Sequence, residues 1–447
     1  MRIPVLGGAG MVLALLGVAG TSAAQIPAPA PANRRPASTA LIGAPDSPAP
    51  LRPDTLRLTE LIDQARRESP LLRAARLEAD AALERVPQPG ALPNPQLTFG
   101  FKNRPIDNFD TDERMTMNSV GLVQRFPWPG VQGFGKKRAE HLAEASRFDA
   151  AEADRQLVAR LSAVYYRIAY LDRALTIMGD TRGLLRSFLE VAEARYAVGD
   201  GLQQDVLQAQ VSIARMTEDI TVAEQSRIAL AARINALVGR SSEAPVGSLR
   251  LPAELPDLPA ADSLTALAVG QRPSLAAALE RVEAAEAGYR AARRKLYPDI
   301  TLKVEYGQRP QFVDFLTVLV GVEIPLWAGQ RELPLRREMD ATRRREQARA
   351  RDLYNETVAR VLELRAEADR ARKLARLYAA SVIPQAQAAV ESALAAYRVG
   401  EVDYMTLVEN ELTVNRYEIQ TVSLRADYHR AVAELAALIG GAPGGTQ

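Results

Sequence analysis

The same series of short motifs occurs twice in this chain of 447 residues, with the copies roughly 200 residues apart. Each copy has a proline before an alternating segment, then Pro-Trp or Pro-Leu-Trp, then Tyr-x-Val-Gly, and finally Leu-Val-Gly or Leu-Ile-Gly. These landmarks stand at Pro95 and Pro298, Trp128 and Trp327, Gly199 and Gly400, and Gly239 and Gly440. A repeat of this length indicates one supersecondary unit used twice. We therefore expect one elongated domain, although the length alone suggests about three domains.

The composition excludes several kinds of chemistry. The chain has no cysteine, so disulfides, thiolate metal sites, cysteine nucleophiles and an N-terminal lipidated cysteine are ruled out. Its two histidines, His141 and His429, each stand alone on a predicted helix, so we expect no metal site. A net charge of +2 does not favour nucleic-acid binding. With no phosphate-binding loop, catalytic triad or paired-acid motif, we predict no cofactor and no enzyme activity.

The sequence divides into six segments. The first has a short basic start, an apolar stretch and a small-residue cleavage site after Ala24, which are typical of a secretory signal. The second is rich in Pro and Ala and cannot form a core. The predicted segments are a signal peptide at 1–24, a disordered leader at 25–55, a first repeat at 56–240, a linker at 241–260, a second repeat at 261–440 and a disordered tail at 441–447.

Each half contains two segments with the alternation of a half-buried strand. In the first half, Leu97, Phe99 and Phe101 alternate with polar or small residues, and a less regular segment returns from Ser119 to Phe126. The second half alternates more strictly from Ile300 to Tyr306 and from Leu316 to Ile324. Each half therefore contributes one hairpin, whose strands of about 8 to 11 residues are long enough to cross a bilayer when tilted.

Long helices with a heptad pattern follow each hairpin. Apolar residues from Leu157 to Met178 recur every three or four positions, and Gly199 and Gly400 are predicted to end the two longest helical segments. Each segment is about 65 residues, or about 100 Å of helix. Pro384 is expected to kink the second. An earlier helix is predicted from an N-cap at Thr59 to about Arg85.

Four strands cannot close into a barrel, and open sheet edges are not tolerated in lipid. The predicted fold is therefore mainly α with a small β part. It comprises a two-fold repeat of long antiparallel coiled-coil helices with one hairpin each. Three chains would close it into a twelve-stranded barrel joined to a helical barrel.

These features resemble the TolC-type outer membrane factor family, and within it the branch that serves heavy-metal efflux. The resemblance covers about residues 56–440. It depends on Glu68-Ser69-Pro70 opening the first helix, Leu92-Pro93-Asn94-Pro95 before the first strand, Tyr196-x-Val198-Gly199 followed by Asp205-Val206-Leu207-x-Ala209-Gln210, and Tyr397-x-Val399-Gly400. It implies a homotrimeric exit duct in the outer membrane that projects into the periplasm. The implied partners are outer membrane lipid, a periplasmic adaptor (membrane fusion protein) and an inner-membrane efflux pump, with no nucleic acid.

The resemblance also implies where the functional residues lie. The glycine turns would form a closed periplasmic tip that docks the adaptor, with acidic residues just beyond it that constrict the pore and attract cations. The predicted docking residues are Val198, Gly199, Leu202, Val399, Gly400 and Val402. The predicted gate residues are Asp205, Thr406, Glu409, Tyr404 and Arg398, of which Thr406 stands where the family commonly has an aspartate.

The polar faces of the predicted strands carry four charged residues, Lys102, Lys303, Glu305 and Glu323, which we expect to line the pore. Trp128 and Trp327 are expected either at the membrane interface or packed at the strand-to-helix junction. A second hypothesis is a periplasmic coiled-coil adaptor or structural protein without a membrane barrel. It predicts a single long helical hairpin with a lipoyl-like β domain, and neither feature fits the repeat.

Overall fold

The computed structural model describes residues 57–104 and 114–441. The predicted signal peptide, the leader, most of the first strand-to-strand loop and most of the tail lie outside these ranges. The first half comprises α1 (Leu58–Glu68), α2 (Pro70–Glu84), β1 (Gln96–Lys102), β2 (Met117–Phe126), α3 (Val131–Ala197) and α4 (Gln203–Val238). The second half comprises α5 (Ala261–Gln271), α6 (Pro273–Arg294), β3 (Asp299–Gln308), β4 (Phe315–Glu323), α7 (Glu332–Leu377), α8 (Ile383–Val399) and α9 (Tyr404–Ile439).

The strands form one antiparallel sheet in the order β1-β2-β3-β4. The register places Thr98, Gly121, Glu305 and Thr317 in one row across it, with their side chains on the same face. Most charged and small residues of the four strands share this polar face. The opposite face is apolar and exposed: Phe99 and Phe101 are each 74% exposed. The alternation expected from the sequence is therefore confirmed, with one face suited to water and the other to lipid.

The helices near the sheet continue the strand order. Near the sheet, α2 packs against α3, α3 against α6, and α6 against α7. Each of these four helices leads directly into or out of the strand in the corresponding place of the sheet. Farther from the sheet, α4 and α9 flank α3, and α9 packs against α7 and α8. Within the described ranges, the sheet and the row of helices therefore end on the same two sides. One side is formed by β1, α2 and α4, and the other by β4, α7 and α8.

The helical core follows the predicted heptads. Leu157, Leu161 and Ile168 of α3 are at most 3% exposed and pack with α1 and α4 in one cluster. The α9 stripe, from Leu424 to Leu435, packs with α5 and α7 in a second cluster. A third cluster joins the far ends of α3, α4, α8 and α9. The long helices are therefore held together by seams of apolar side chains along their whole length.

Two sequence predictions about the helices need correction. The first helix has Arg57 rather than Thr59 at its N-cap, and Arg57 makes no side-chain capping bond. It also does not continue to Arg85: Ser69 is extended (ψ 118°), and Pro70 begins a second helix. Glu68-Ser69-Pro70 thus separates α1 from α2, because the proline ring disfavours helical backbone in the residue before it.

The second long helix is irregular near its predicted kink. Between α7 and α8, Tyr378–Val382 forms one turn of π-helix, and Pro384 lies in the first turn of α8. Proline lacks the N–H that an α-helical hydrogen bond requires, so the local hydrogen-bond pattern shifts at this point. By contrast, the equivalent stretch of α3 is an unbroken helix of 67 residues, about 100 Å long.

Candidate functional site

The two turns farthest from the sheet form the tip of the molecule. Gly199 (φ 85°) and Gly400 (φ 80°) both have left-handed backbone, which L-residues with a side chain adopt at a cost. Five of the six predicted docking residues are exposed, and Val198 and Val399 exceed 70% exposure. The sixth, Val402, packs against the apolar cluster beneath the tip. The turns therefore present apolar side chains to the outside on a rigid base.

A buried aromatic pair joins the two turns below the surface. Tyr397 of α8 and Tyr404 of α9 are 2% and 0% exposed, and their ring centroids lie 5.7 Å apart at an interplanar angle of 68°. The Tyr397 hydroxyl donates to an Asp205 carboxylate oxygen of α4 at 3.5 Å. Burial raises the pKa of Tyr397, and the neighbouring Asp205 charge raises it further. Burial also raises the pKa of Tyr404, whose hydroxyl has no hydrogen-bond partner within residues 57–104 and 114–441.

The other predicted gate residues lie on the surface of this tip. Thr406 and Glu409 are exposed on the first turns of α9, and Arg398 is exposed at the end of α8. Thr406 donates from its backbone N–H (2.8 Å) and its hydroxyl (2.5 Å) to Asp403, which is the N-cap of α9. These bonds lower the pKa of Asp403. The structure thus brings Asp205 and Tyr404 together around Tyr397, and leaves the other three residues outside that contact.

Arg195 connects the two turns, and the sequence reasoning missed it. Its guanidinium donates to the Tyr397 carbonyl oxygen (2.5 Å) and to the Asp200 carbonyl oxygen (3.0 Å), and lies 4.8 Å from the centre of the Tyr397 ring. The two contacts with Tyr397, one of them a charge-assisted hydrogen bond, fix the end of α8 against the end of α3, whereas the bond to Asp200 lies within the turn after α3. One signal was available: Arg195 precedes the first Tyr-x-Val-Gly motif, whereas Ala396 precedes the second.

The predicted pore-lining residues all lie on the polar face of the sheet. Lys102 and Lys303 both contact the Glu305 carboxylate, which is 4% exposed. At the end of the strands nearer the helices, Glu323 and Asp299 both bind Arg125, at 3.0 and 2.8 Å. The face therefore carries one cluster with an excess positive charge and one with an excess negative charge.

The two tryptophans have different surroundings. Trp128 stacks on Tyr297 (centroids 5.1 Å apart), and its backbone N–H donates to Asp299 at 2.8 Å. It therefore packs at the junction between strands and helices. Trp327 is 68% exposed at the open β4 side of the molecule, where its amphipathic ring suits a membrane interface.

Neither histidine has the surroundings of a metal ligand. His141 lies 2.7 Å from a Glu280 carboxylate oxygen. His429 is buried between the rings of Tyr166 and Tyr428, and burial lowers its pKa. Within the two described ranges, no three His, Asp or Glu side chains are grouped as metal ligands would be. In the same ranges, no helix has the length and apolar character needed to span a membrane.

Solved structures with the same fold are outer membrane channels. The outer membrane protein VceC of Vibrio cholerae superposes with a TM-score of 0.74 at 18% identity, over 86% of this chain and 96% of that one. The outer membrane channel OprN superposes with a TM-score of 0.71 at 18% identity, over 88% and 94%. This chain therefore shares the fold of these outer membrane proteins, a small sheet carried on long helices.

The family is shown by sequence. The model of the outer membrane efflux protein family matches residues 61–240 and 264–441. The chain belongs to this family, so it is an outer membrane protein that extends into the periplasm, with the fold of a transport channel.

Two curated relatives carry functional names. The pyoverdine export outer membrane protein OpmQ of Pseudomonas putida is 23% identical over 86% of each chain. The fusaric acid resistance protein FusA of Burkholderia cepacia is 26% identical over 58% of this chain, and this match spans about half (53%) of FusA. Both names describe efflux or resistance, and neither names a metal. The predicted assignment to the heavy-metal branch therefore stays a prediction.

Proposed function

We propose that three copies of this chain assemble into a closed exit duct in the outer membrane. This proposal depends on one observation: the sheet and the row of helices both end without a neighbour on the same two sides. The sheet leaves β1 and β4 unpaired at its edges, and its apolar face is exposed. Lipid offers no hydrogen bonds to unpaired backbone groups, so only closure against further copies satisfies them. Three four-stranded sheets would form a barrel of twelve strands, with the polar face inside.

The helices support the same closure. Large apolar side chains are exposed on both open sides of the helical row: Leu77 (57%) on α2 and Leu207 (53%) on α4 at one side, and Leu362 (47%) and Leu377 (51%) on α7 at the other. In a ring of copies, these two sides would cover each other in a head-to-tail interface. The repeated order of two helices, two strands and two long helical segments supports a two-fold internal repeat within each copy.

The duct conducts passively and is gated at the tip. The inner-membrane pump supplies the energy, and a periplasmic adaptor docks on the exposed valines and glycines of the two turns. Asp205 and Glu409 form acidic rings in the assembled throat, and the buried Tyr397 holds Asp205 through its hydroxyl. Catalysis plays no part, because pore shape, lining charge and the gate are sufficient for a conduit.

The duct proposal predicts a channel-forming oligomer. The mature protein, extracted from outer membranes in non-ionic detergent, should have the mass of three chains. It should also migrate as a heat-modifiable oligomer and conduct ions in planar bilayers. A water-soluble single subunit that leaves bilayers non-conducting would overturn the proposal.

The acidic rings predict cation preference at the gate. Replacing Asp205 and Glu409 together by alanine removes two carboxylates per chain, so the ratio of cation to anion permeability should fall. Reversal potentials in a KCl gradient measure this ratio. As a control, Glu193→Ala with Glu218→Ala removes two exposed carboxylates from α3 and α4, outside the proposed gate. Unchanged selectivity in the gate variant, with normal assembly, would reject these residues as the constriction.

A further inference from the structure

Basic residues are concentrated where the strands meet the helices. The first turns of α3 (131–139), the end of α6 (290–295) and the start of α7 (331–337) together hold ten basic residues and one acidic residue. The basic residues are Lys136, Lys137, Arg138, Arg290, Arg293, Arg294, Lys295, Arg331, Arg336 and Arg337. The whole chain carries only +2, so the remainder is net negative. The positive charge is therefore concentrated at the junction between the strands and the helices.

Four of these arginines surround one cavity of about 370 Å³. Arg290, Arg293 and Arg294 from α6 and Arg336 from α7 line it, together with Phe134, Leu296 and Tyr297. Of the four, only Arg290 has an ion-pair partner within the described part of the chain, Glu286 at 2.9 Å. The cavity thus combines uncompensated guanidinium groups with an apolar and aromatic wall.

This arrangement is not explained by helix capping alone. Arg293 and Arg294 occupy the last turn of α6, where the helix dipole favours cations. Arg336, however, lies near the start of α7, at the positive end of that helix, and still lines the same cavity. Three guanidinium groups without an ion-pair partner in the described ranges therefore share one space, and a bound anion would relieve their mutual repulsion.

The position of the cavity indicates which anion is available. It lies within a few residues of Asp299, where β3 begins. Arg125, Asp299 and Glu323 of the sheet's polar face line a neighbouring cavity of about 780 Å³, which shares Tyr297 with this one but none of its four arginines. In the proposed duct, a space just below the strands that the charged residues of the polar face do not line would lie at the headgroups of the periplasmic leaflet.

We propose that this cavity binds the phosphate of a phospholipid headgroup in that leaflet; the proposal rests on the proposed duct, whose sheet lies in the membrane. Arginine forks bind phosphate oxygens in pairs, and basic pockets beside a membrane select anionic headgroups. Phe134 and Leu296 cover the glycerol and the first carbons of the acyl chains. The contact fixes the depth of the barrel in the membrane.

The fluorescence of Trp128 provides a direct measurement of lipid binding. It stacks on Tyr297, which lines the cavity, and the chain has only one other tryptophan. In a Trp327→Phe background, the delipidated detergent-solubilised oligomer would be titrated with dioleoylphosphatidylglycerol in mixed micelles. Dioleoylglycerol, which has the same chains but no phosphate, and inorganic phosphate form two further arms. We expect saturable binding of phosphatidylglycerol, at least tenfold tighter than binding of either dioleoylglycerol or phosphate.

A variant with Arg293→Gln, Arg294→Gln and Arg336→Gln should bind phosphatidylglycerol at least tenfold more weakly. The matched control has Arg186→Gln, Arg351→Gln and Arg370→Gln. It loses the same charge at exposed positions away from the cavity and should bind as the parent does. If the triple variant does not assemble, Arg336→Gln should show about a threefold loss against Arg351→Gln. Equal binding by dioleoylglycerol or inorganic phosphate, or undiminished binding by the variant, would overturn the lipid site. Ion conduction by the same preparation tests the duct separately.

Discussion

Replacing Val318 by arginine is expected to abolish the assembled protein in the outer membrane. Val318 is near the middle of β4, pairs with Val304 and is 58% exposed on the apolar face of the sheet. Arginine on the lipid-facing side of a barrel near the bilayer midplane costs about 2–4 kcal/mol. Each assembly would carry this cost once per copy, so heat-modifiable oligomer in outer membrane fractions should fall at least tenfold.

The neighbouring residue provides the matched control. Thr317 is one position away, on the polar face, and pairs with Glu305. Thr317→Arg therefore places the same side chain beside a carboxylate on the polar face, which faces the interior of the proposed duct, and the oligomer should remain near its normal abundance. If both variants assembled equally well, or if only Thr317→Arg failed, the assignment of the two faces would be wrong.

Replacing Arg195 by alanine is expected to open the tip. The change removes a charge-assisted hydrogen bond and a ring contact that hold the end of α8 against the end of α3. It also removes a second hydrogen bond, to Asp200, that lies within the turn after α3. Hydrogen bonds to charged groups contribute about 1.5–3 kcal/mol each, and 1.4 kcal/mol changes an equilibrium about tenfold. Open probability in single-channel recordings should therefore rise at least tenfold, and cells should become more sensitive to large antibiotics.

Two variants separate this effect from general loss of stability. Arg195→Lys keeps the charge but lacks the guanidinium fork, so it should open the channel only partly. Arg186→Ala removes an exposed arginine nine positions earlier on α3 and should conduct like the parent. Normal gating by an Arg195→Ala protein with an unchanged thermal unfolding midpoint would show that this arginine does not hold the tip closed.

The strands and long helices were predictable because their signals are local. Alternation from Ile300 to Tyr306 has the two-residue period of a strand, and the pairing register confirms which residues share a face. The heptad from Leu157 onward likewise predicted the buried side of α3. The correction at Ser69 and Pro70 is also local: Ser69 is extended before the proline, a restriction that the sequence-based interpretation did not apply.

The contacts at the tip were predictable only in part. The family resemblance implies Asp205 as an acid just beyond a glycine turn, and the structure adds that Tyr397 donates to it from 192 positions away. Arg195 and the Tyr397 carbonyl oxygen are 202 positions apart. No periodicity links such residues, since their meeting depends on how the two helical hairpins lie side by side.

The sequence by itself determined the order of the elements, the two faces of each strand and the glycine ends of the hairpins. These properties depend on the backbone geometry of neighbouring residues, which composition and spacing describe directly. Only the tertiary structure decided that strands and helices share one lateral order, that both layers end open on the same two sides, and that Arg195 joins the tips. Those properties arise when separate segments compete to bury the same apolar surface, and this competition is settled by packing in three dimensions.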